Sequence, residues 1–339
     1  MTSAPGRFGT LALGRIGLGT APLGNLFAVV SDEEAVDTVR RALALGVRYI
    51  DTAPHYGNGL SEHRVGATLR GIPRERFVLS TKVGRLLSAD PAAPRNQHGY
   101  VGALPFSQRF DYSYDGALRS IEDSLQRLGL TRIDIALIHD IDVFTHGPED
   151  QPTRFREAMG GAYRALARLK SAGAIGAIGL GVNDWGVCLE ALKHGDFDGF
   201  LLAGRYTLID QSALAELLPA CQRRGSGIIL GGPYNSGILA RGAVEGATFD
   251  YRPAEPAVLE RVRGVSALCS AFDVPLQAAA LQFPLGHPAI ATVIPGARSA
   301  TEVEANIRFA AHPIPGDFWR ALRDAGLIAL EAPLPIGMA

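Results

Sequence analysis

Four polar residues stand at or just beyond the ends of short apolar runs. Asp51, Lys82 and His139 each end such a run, and Tyr56 lies in the loop that follows the first of them. Taken alone, a tyrosine in a loop is more often a packing residue, and a single histidine more often has a structural partner. Three ionisable side chains that each end a different apolar run are costly to desolvate unless they are paired. Their joint placement favours a functional site.

These residue types are suited to proton transfer. The pKa of a free tyrosine, about 10, is too high for ready exchange at neutral pH, but a neighbouring ammonium stabilises the phenolate and lowers that pKa. We expect Lys82 to supply this charge and Asp51 to hold Lys82 charged and oriented. His139 then hydrogen-bonds the reacting oxygen or assists the proton transfer. The chemistry expected is hydride transfer at a carbon that bears oxygen.

The elements that must position these residues follow a repeating order. Short β-branched runs alternate with amphipathic helical stretches at intervals of roughly 25 to 45 residues, which is typical of a mostly parallel sheet. The eight runs are residues 16–18, 47–50, 77–80, 133–138, 177–180, 199–202, 227–230 and 291–294. They predict an α/β protein that is a closed (β/α)8 TIM barrel, one domain over residues 1–339. In such a barrel the four polar residues meet at one rim.

Helix signals separate the predicted strands. A capping box at residues 31–34 opens the first helix. The other helices are expected near residues 61–70, 113–128, 153–171, 185–193, 212–223, 254–272 and 300–309. A small β-hairpin at residues 7–14 and an extra helix at residues 316–328 flank the repeats. The long connections 85–112 and 231–253 follow the third and seventh strands and are candidate lids, or else surface excursions without structure.

Composition limits the possible partners. The 339 residues carry a formal net charge of -1 and no basic run, so we expect neither nucleic acid nor membrane binding. Residues 1–10 lack a signal-like apolar region and no stretch approaches the roughly 18 apolar residues of a membrane span, which favours a cytoplasmic protein. Three separated cysteines, Cys188, Cys221 and Cys269, indicate neither disulfides nor a metal pair. The oligomeric state stays open.

The motifs, in this order and spacing, resemble those of the aldo-keto reductase family between about Leu13 and Asn306. Residues 51–57 resemble the family's Asp-Thr-Ala-x-x-Tyr-Gly motif, residues 80–82 its strand-end lysine and residues 137–139 its strand-end histidine. The resemblance implies that Tyr56 is the general acid/base, with Lys82 and Asp51 as its tuning pair and His139 as the substrate orienter. His55 and Asp140 are then placed to bind neighbouring substrate hydroxyls.

The resemblance also implies a nicotinamide dinucleotide cofactor. Asn183 stands one position later than the family's amide-binding asparagine, while Ala203 and Gly231 replace its usual glutamine and ring-stacking tyrosine. The nicotinamide is then held somewhat differently, with Tyr234 or Asn235 contributing. The full set of expected cofactor contacts is Gly19, Thr20, Asp51, Asn183, Tyr234, Asn235, Gly237, Gly296, Arg298, Glu302 and Asn306.

The segment 294–306 resembles the part of the family that binds the adenosine end. Gly296, Ala297 and Glu302 stand where members that prefer NADP often carry lysine, serine and arginine. A carboxylate repels a 2′-phosphate and accepts a ribose hydroxyl, which favours NAD. Arg298 acts in the opposite direction, because a guanidinium pairs well with phosphate.

Residues 202–207 and 232–237 look most like the bacterial branch that contains fucose and threo-aldose dehydrogenases and pyridoxal 4-dehydrogenase. This implies oxidation of a cyclic hemiacetal to a lactone, with L-fucose or another threo-aldose as substrate. Pyridoxal, giving 4-pyridoxolactone, is the alternative, and a non-catalytic redox-sensing scaffold is another. A Rossmann fold on residues 17–19 or 176–181, and a metal-dependent hydrolase on His139, Asp140, Asp142 and His146, have weaker support.

Overall fold

An eight-stranded parallel sheet occupies the centre of the molecule. The computed structural model describes residues 6–337. Its strands are β1 (Arg7–Phe8), β2 (Leu11–Ala12), β3 (Leu18–Gly19), β4 (Tyr49–Asp51), β5 (Val78–Val83), β6 (Arg85–Ala89), β7 (Phe106–Phe110), β8 (Ile135–His139), β9 (Ala177–Val182), β10 (Gly199–Ala203), β11 (Gly227–Gly231), β12 (Thr248–Phe249), β13 (Arg252–Pro253) and β14 (Ile290–Ile294). The central sheet has the order β3-β4-β5-β8-β9-β10-β11-β14.

The two edges of this sheet meet. Parallel bridges join Ile16 to Val293 and Gly19 to Gly296, so the first and last strands close the sheet into a barrel. Each of the eight predicted runs contributes one strand, and the predicted (β/α)8 barrel is confirmed. The Rossmann alternative is wrong, because that fold needs an open sheet.

Helices surround the barrel. They are α1 (Asp32–Ala44), α2 (Leu60–Leu69), α3 (Tyr114–Leu128), α4 (Val143–Gly160), α5 (Ala162–Ser171), α6 (Trp185–His194), α7 (Leu217–Arg224), α8 (Ile238–Arg241), α9 (Pro256–Ala271), α10 (Leu276–Gln282), α11 (Ala300–Ala310) and α12 (Gly316–Asp324). The predicted capping box is present at α1, where Ser31 and Glu34 bond reciprocally. No single helix within residues 6–337 has the length and apolar composition to cross a membrane, although the pair 256–271 and 276–286, bent by 107°, meets those criteria together.

The two terminal additions are confirmed. Strands β1 and β2 pair antiparallel as the predicted hairpin. Its Phe8 is fully buried in a cluster with Leu13, Tyr49 and Leu137, inside the barrel. Helix α12 packs through Phe318 and Trp319, whose rings are in edge contact. The hairpin therefore covers the amino-terminal end of the barrel strands, opposite the end where the four polar residues lie.

One helix prediction is wrong. The continuous helix expected over residues 153–171 is two helices, α4 and α5, which meet at Gly161. A Cβ at Gly161 would lie 2.5 Å from the carbonyl oxygen of Tyr112, so the chain bends where two backbones come close. Helices α8 and α10 lie in segments where no helix was expected.

Both long connections have regular structure. Residues 85–112 contain the antiparallel hairpin of β6 and β7, and residues 231–253 contain α8 and the short hairpin of β12 and β13. The alternative of unstructured excursions is wrong. Both segments lie at the carboxyl ends of barrel strands, where they form walls of a cavity.

Candidate active site

At the base of the site, a buried ion pair between Lys82 and Asp51 is hydrogen-bonded to the hydroxyl of Tyr56. The Nζ atom of Lys82 donates to Asp51 Oδ2 at 2.7 Å, to the Thr52 carbonyl at 2.9 Å and to the Tyr56 hydroxyl at 2.9 Å. Lys82 and Asp51 are each 1% exposed. Neighbouring parallel strands β4 and β5 bring them together, because both side chains lie near the carboxyl ends of their strands.

Further hydrogen bonds fix the carboxylate of Asp51. Ser80 donates to Asp51 Oδ1 at 2.7 Å, and the Tyr49 hydroxyl lies 2.8 Å from Ser80 Oγ. Since the Ser80 proton goes to the carboxylate, Tyr49 donates to Ser80. One carboxylate oxygen of Asp51 thus accepts from Ser80 in the core of the barrel, and the other accepts from Lys82. This arrangement sets the direction of the ammonium.

The protonation of Tyr56 is governed by burial. Loss of water raises the pKa of Tyr56 well above its ordinary value, and the charge of Asp51 raises it further. The net direction is opposite to the one expected from Lys82 alone. The physical reason is that Asp51, in contact with the ammonium, offsets its charge, while a buried phenolate is penalised by desolvation. Tyr56 is therefore a neutral phenol at pH 7.

His139 lies beside this group. Its ring centroid is 6.2 Å from that of Tyr56, and its Nε2 atom is 3.4 Å from Asp140 Oδ2. Burial holds the pKa of His139 well below its ordinary value, and Asp140 offsets this only in part. The ring is therefore neutral at pH 7 and carries a single hydrogen. The Nδ1 atom is buried without a partner within residues 6–337.

Asp140 is held in an uncommon backbone conformation. Its φ of 52° is in the left-handed region, which costs a non-glycine residue energy and often marks a functional position. The Tyr112 hydroxyl lies 2.8 Å from the carbonyl of His139 and 2.9 Å from that of Asp140, which supports this conformation. Burial alone would raise the pKa of Asp140, but His139 and Arg85 hold it below its ordinary range. Asp140 is therefore a carboxylate.

These residues line a cavity of about 550 Å³ at the carboxyl ends of the strands. His55, Tyr56, Lys82, His139, Asp140 and Asn183 all reach it. Three of the four residues expected to be catalytic and both further residues expected to contact substrate thus line one cavity, while Asp51 lies behind it and bonds to Lys82. Within residues 6–337 no group of three His, Cys, Asp or Glu side chains is arranged to hold a metal ion, which leaves the metal-hydrolase alternative without a ligand set there.

Sequence reasoning missed several residues of the cavity wall. Arg85 donates to Asp140 Oδ2 at 2.6 Å and lies over the Phe110 ring, 4.3 Å from its centroid. Gln108 on β7 does not line the cavity itself but contacts two residues that do, Arg85 and His55. The only sequence signal was the position of these residues in a long segment after a barrel strand, which indicates the correct end of the barrel but not the side chains.

Aromatic side chains from separate loops form the mouth of the cavity. Phe27 lies after β3, Tyr100 between β6 and β7, Phe144 at the start of α4 and Tyr251 between β12 and β13. The Tyr251 ring is 6.2 Å from that of Phe27 and 6.3 Å from that of Phe144. A flat, uncharged ring is suited to lie between these side chains.

Three residues expected near the nicotinamide, Gly19, Thr20 and Asn183, differ in how far they are available to a ligand. Thr20 is fully buried, and its hydroxyl already bonds the Asp51 carbonyl and Ser61. The side chain of Asn183 reaches the cavity, while its backbone binds Asp142 and Arg205. Gly19 lies at the barrel seam. Of these three, Asn183 alone lines the cavity.

A second group lies after β11. Tyr234 donates to Asn306 Oδ1 at 2.7 Å, and Asn235 Nδ2 donates to the Gly204 carbonyl at 3.1 Å. Asn235 is buried with a φ of 43°, and its Oδ1 has no partner within residues 6–337. Gly237, with a φ of 94°, begins α8. These residues form a largely buried polar group beside the barrel rim.

The third group lies at the start of α11. Glu302 Oε2 accepts the backbone N–H of Arg298 at 2.8 Å, so this exposed carboxylate also closes the turn before the helix. Ser299 caps the same helix. Arg298 is exposed, and Gly296 packs so closely on Pro22 that a Cβ would lie 2.8 Å from its ring.

These features fit a dinucleotide. Gly181 and Ala203, at the carboxyl ends of the neighbouring strands β9 and β10, line the cavity with little or no side chain, which leaves space for an aromatic ring. The unpartnered Oδ1 of Asn235 is an acceptor that a carboxamide can satisfy. The residues expected for the adenosine end lie further along the same rim, where α11 begins.

Known proteins resemble this chain over most of its length. Residues 15–326 match the family model described as the aldo/keto reductase family. The chain is 43% identical over 335 residues to pyridoxal 4-dehydrogenase from Microbacterium luteolum, covering 96% of this chain and 97% of that protein. It is 38% identical over 325 residues to D-threo-aldose 1-dehydrogenase from a Pseudomonas species, covering 94% and 95%. A solved aldo-keto reductase from Bacillus halodurans, in its holo form, superposes with a TM-score of 0.72 and 26% identity over 97% of each chain.

Proposed function

Because this chain belongs to the aldo/keto reductase family and is an oxidoreductase, we propose that it oxidises a cyclic hemiacetal to a lactone with NAD as the hydride acceptor. The observation that carries the proposal is the continuous Asp51, Lys82 and Tyr56 chain on the cavity floor, with contacts of 2.7 and 2.9 Å. The non-catalytic scaffold alternative is wrong, since the chain is an enzyme.

The residues act on the anomeric hydroxyl as follows. The deprotonated fraction of Tyr56, whose own proton has left to solvent, takes the hydroxyl proton through Oη. The ammonium of Lys82 stabilises this phenolate, and Asp51 fixes the ammonium. His139 hydrogen-bonds the substrate oxygen and orients it. The nicotinamide ring, when bound, supplies the acceptor for the hydride. Asn183, Asn235 and Tyr234 are the side chains proposed to hold that ring.

We propose an aldopyranose, such as L-fucose or another threo-aldose, as the substrate. The wall formed by His55, Asp140 and Arg85 offers hydrogen-bonding groups to several hydroxyls. Pyridoxal is the second candidate. It is favoured by the four aromatic side chains at the mouth of the cavity and by the 43% identity to a pyridoxal 4-dehydrogenase.

A panel assay decides between the two. The purified protein is given NAD and a series of aldoses or pyridoxal, and the formation of NADH and of the lactone is measured. We expect the highest kcat/KM with an aldose. Higher kcat/KM with pyridoxal would select the second candidate, and no turnover with either class would contradict the proposed function.

Tyr56→Phe tests the mechanism. The variant keeps the ring and loses the hydroxyl, so cofactor affinity stays the same while turnover falls at least about a hundredfold, the usual scale for losing a general acid or base. Cofactor affinity is measured by fluorescence titration and turnover with the best substrate of the panel. Retained turnover would remove Tyr56 from the mechanism.

A further inference from the structure

We infer that Asn58 and Gln108 fix the hydrogen-bonding polarity of His55, so that its Nε2 atom acts as an acceptor that selects substrates with a free hydroxyl at that place. This inference rests on the proposed function and names a specificity-determining residue and two positioning residues for it.

The orientation of Asn58 is set by two carbonyl groups. Its Nδ2 atom donates to the carbonyls of Leu104 at 3.0 Å and Phe106 at 2.6 Å. Carbonyl oxygens only accept, so the amino group must be on this side. Asn58 is buried and held with a φ of 56°, so its oxygen has one available direction, toward Gln108.

The orientation of the Gln108 amide follows from the contacts of its nitrogen and of its oxygen. Its Nε2 atom donates to Asn58 Oδ1 at 2.6 Å. Its Oε1 atom is 3.3 Å from Nη1 of Arg85, and a guanidinium can only donate. Two independent contacts therefore place the glutamine oxygen toward His55.

His55 must donate to that oxygen. Its Nδ1 atom is 2.9 Å from Gln108 Oε1, so Nδ1 carries a hydrogen. Burial and the charge of Arg85 lower the pKa of His55 to about 4, so the ring is neutral at pH 7 and carries only one hydrogen. The Nε2 atom therefore has a free lone pair.

This lone pair is open to the cavity. No hydrogen bond to His55 Nε2 is present within residues 6–337, and the atom is not among the enclosed, unpartnered ones. The ring lies 5.9 Å from that of His139, centroid to centroid. His55 thus presents an acceptor to a substrate bound beside His139.

A site of this polarity discriminates between substrates. A hydroxyl donates to His55, whereas an ether or carbonyl at the same place leaves two acceptors facing each other. Removal of a hydrogen-bond partner from a buried site costs more than the bond itself is worth. The inference thus adds a requirement for a free hydroxyl to the proposed hemiacetal chemistry.

The first experiment needs no substrate. Long-range proton–nitrogen NMR of the protein labelled with 15N in histidine distinguishes the two neutral tautomers, and His55→Phe assigns the signal. We expect the Nδ1–H form in the unaltered protein and a changed tautomer population in Gln108→Met. Gln126→Met, on the exposed face of α3, is the matched control and leaves the signal unchanged. An Nε2–H form in the unaltered protein, or the same tautomer in Gln108→Met, would overturn the inference.

The second experiment uses the best substrate of the panel. Gln108→Met and His55→Phe each lower kcat/KM at least tenfold, mainly through KM, and the double variant shows no further loss because both act through one hydrogen bond. Additive losses would overturn the inference. The two proposals can fail independently. The NMR experiment determines the tautomer of His55 even if the protein oxidises no hemiacetal. Turnover of an aldose supports the proposed function even if the tautomer of His55 is not the expected one.

Discussion

Lys82 makes two contacts whose electrostatic effects on Tyr56 oppose each other. Its ammonium favours the phenolate at 2.9 Å, while Asp51 accepts from the same nitrogen at 2.7 Å and disfavours it. Burial then adds to the effect of Asp51 and raises the pKa of Tyr56. The pair does not make Tyr56 anionic at rest. It provides a nearby cation that stabilises the phenolate when a proton leaves.

This predicts the effect of removing the ammonium. Lys82→Met alone would leave a buried, unpaired carboxylate, which is strongly destabilising. We therefore compare Asp51→Asn with the double variant Asp51→Asn and Lys82→Met. Loss of the cation raises the pKa of Tyr56, so the limb of the oxidation rate that increases with pH moves about one unit or more to higher pH. Identical pH profiles for the two variants would show that Lys82 does not act on the phenol.

Cofactor preference is a second question at the scale of single residues. We expect kcat/KM with NAD to exceed that with NADP at least tenfold, equivalent to about 1.4 kcal/mol, because Glu302 repels a 2′-phosphate and no lysine stands at Gly296. Glu302→Arg raises the use of NADP. Glu302→Gln is the control, since it keeps an acceptor for the Arg298 N–H and removes only the charge. A preference for NADP that Arg298→Ala abolishes would reverse this interpretation.

How much of the site the sequence predicts depends on how each residue is placed. Asp51, Lys82 and His139 end barrel strands, so recognising the strands is enough to bring them together. Arg85 and Gln108 meet across the pairing of β6 with β7. That pairing joins two ends of a segment rich in proline and glycine, where no alternation of polar and apolar residues reveals the register.

At the scale of elements, the sequence predicts the start or end of a helix where neighbouring residues in the chain determine it. The start of α1 was predictable because Ser31 and Glu34 supply the capping box themselves. The break at Gly161 was not, because it depends on the backbone of Tyr112, about fifty residues away in sequence and in contact in the fold. Sequence patterns predict the elements, and close approaches between them decide where they are interrupted.

Gly66 in α2 provides a test of such an approach. A glycine inside a helix normally costs stability relative to alanine. Here a Cβ would lie 2.1 Å from the carbonyl oxygen of Leu128 on α3. We therefore expect Gly66→Ala to lower the free energy of unfolding by about 1 to 3 kcal/mol, as overpacking does.

The control for this prediction is Gly160→Ala. That position ends α4 and has open space around it. It should leave the free energy of unfolding unchanged or slightly higher. Urea unfolding followed by circular dichroism measures both variants. An increase in stability for Gly66→Ala would mean that α2 and α3 can separate without cost.

At the scale of the whole molecule, the two ends of the barrel have separate tasks. The cavity and the ionisable residues lie at the carboxyl ends of the strands, while the β1 and β2 hairpin covers the amino-terminal ends. A Cβ at Gly199, the first residue of β10, would lie 2.5 Å from the Phe8 ring, so the barrel leaves space for this side chain. Eight β-branched runs predict the barrel, but only the closed structure shows that Phe8 fills its end.

Phe8→Ala should therefore weaken folding without changing the chemistry. Phe8 is fully buried, and its loss leaves a cavity that surrounding strands cannot fill, so the free energy of unfolding should fall by about 3 to 5 kcal/mol. The Tyr56, Lys82 and Asp51 contacts are at the opposite end, so kcat measured well below the unfolding temperature should stay within a factor of two, roughly the scatter of a neutral surface change. Phe144→Ala, at the half-exposed mouth of the cavity, is the control with the opposite expected result. It should alter KM, while the free energy of unfolding changes by less than about 0.5 kcal/mol. Thermal and urea unfolding measured beside steady-state kinetics check both variants, and a large loss of kcat in folded Phe8→Ala would show that the two ends of the barrel are coupled.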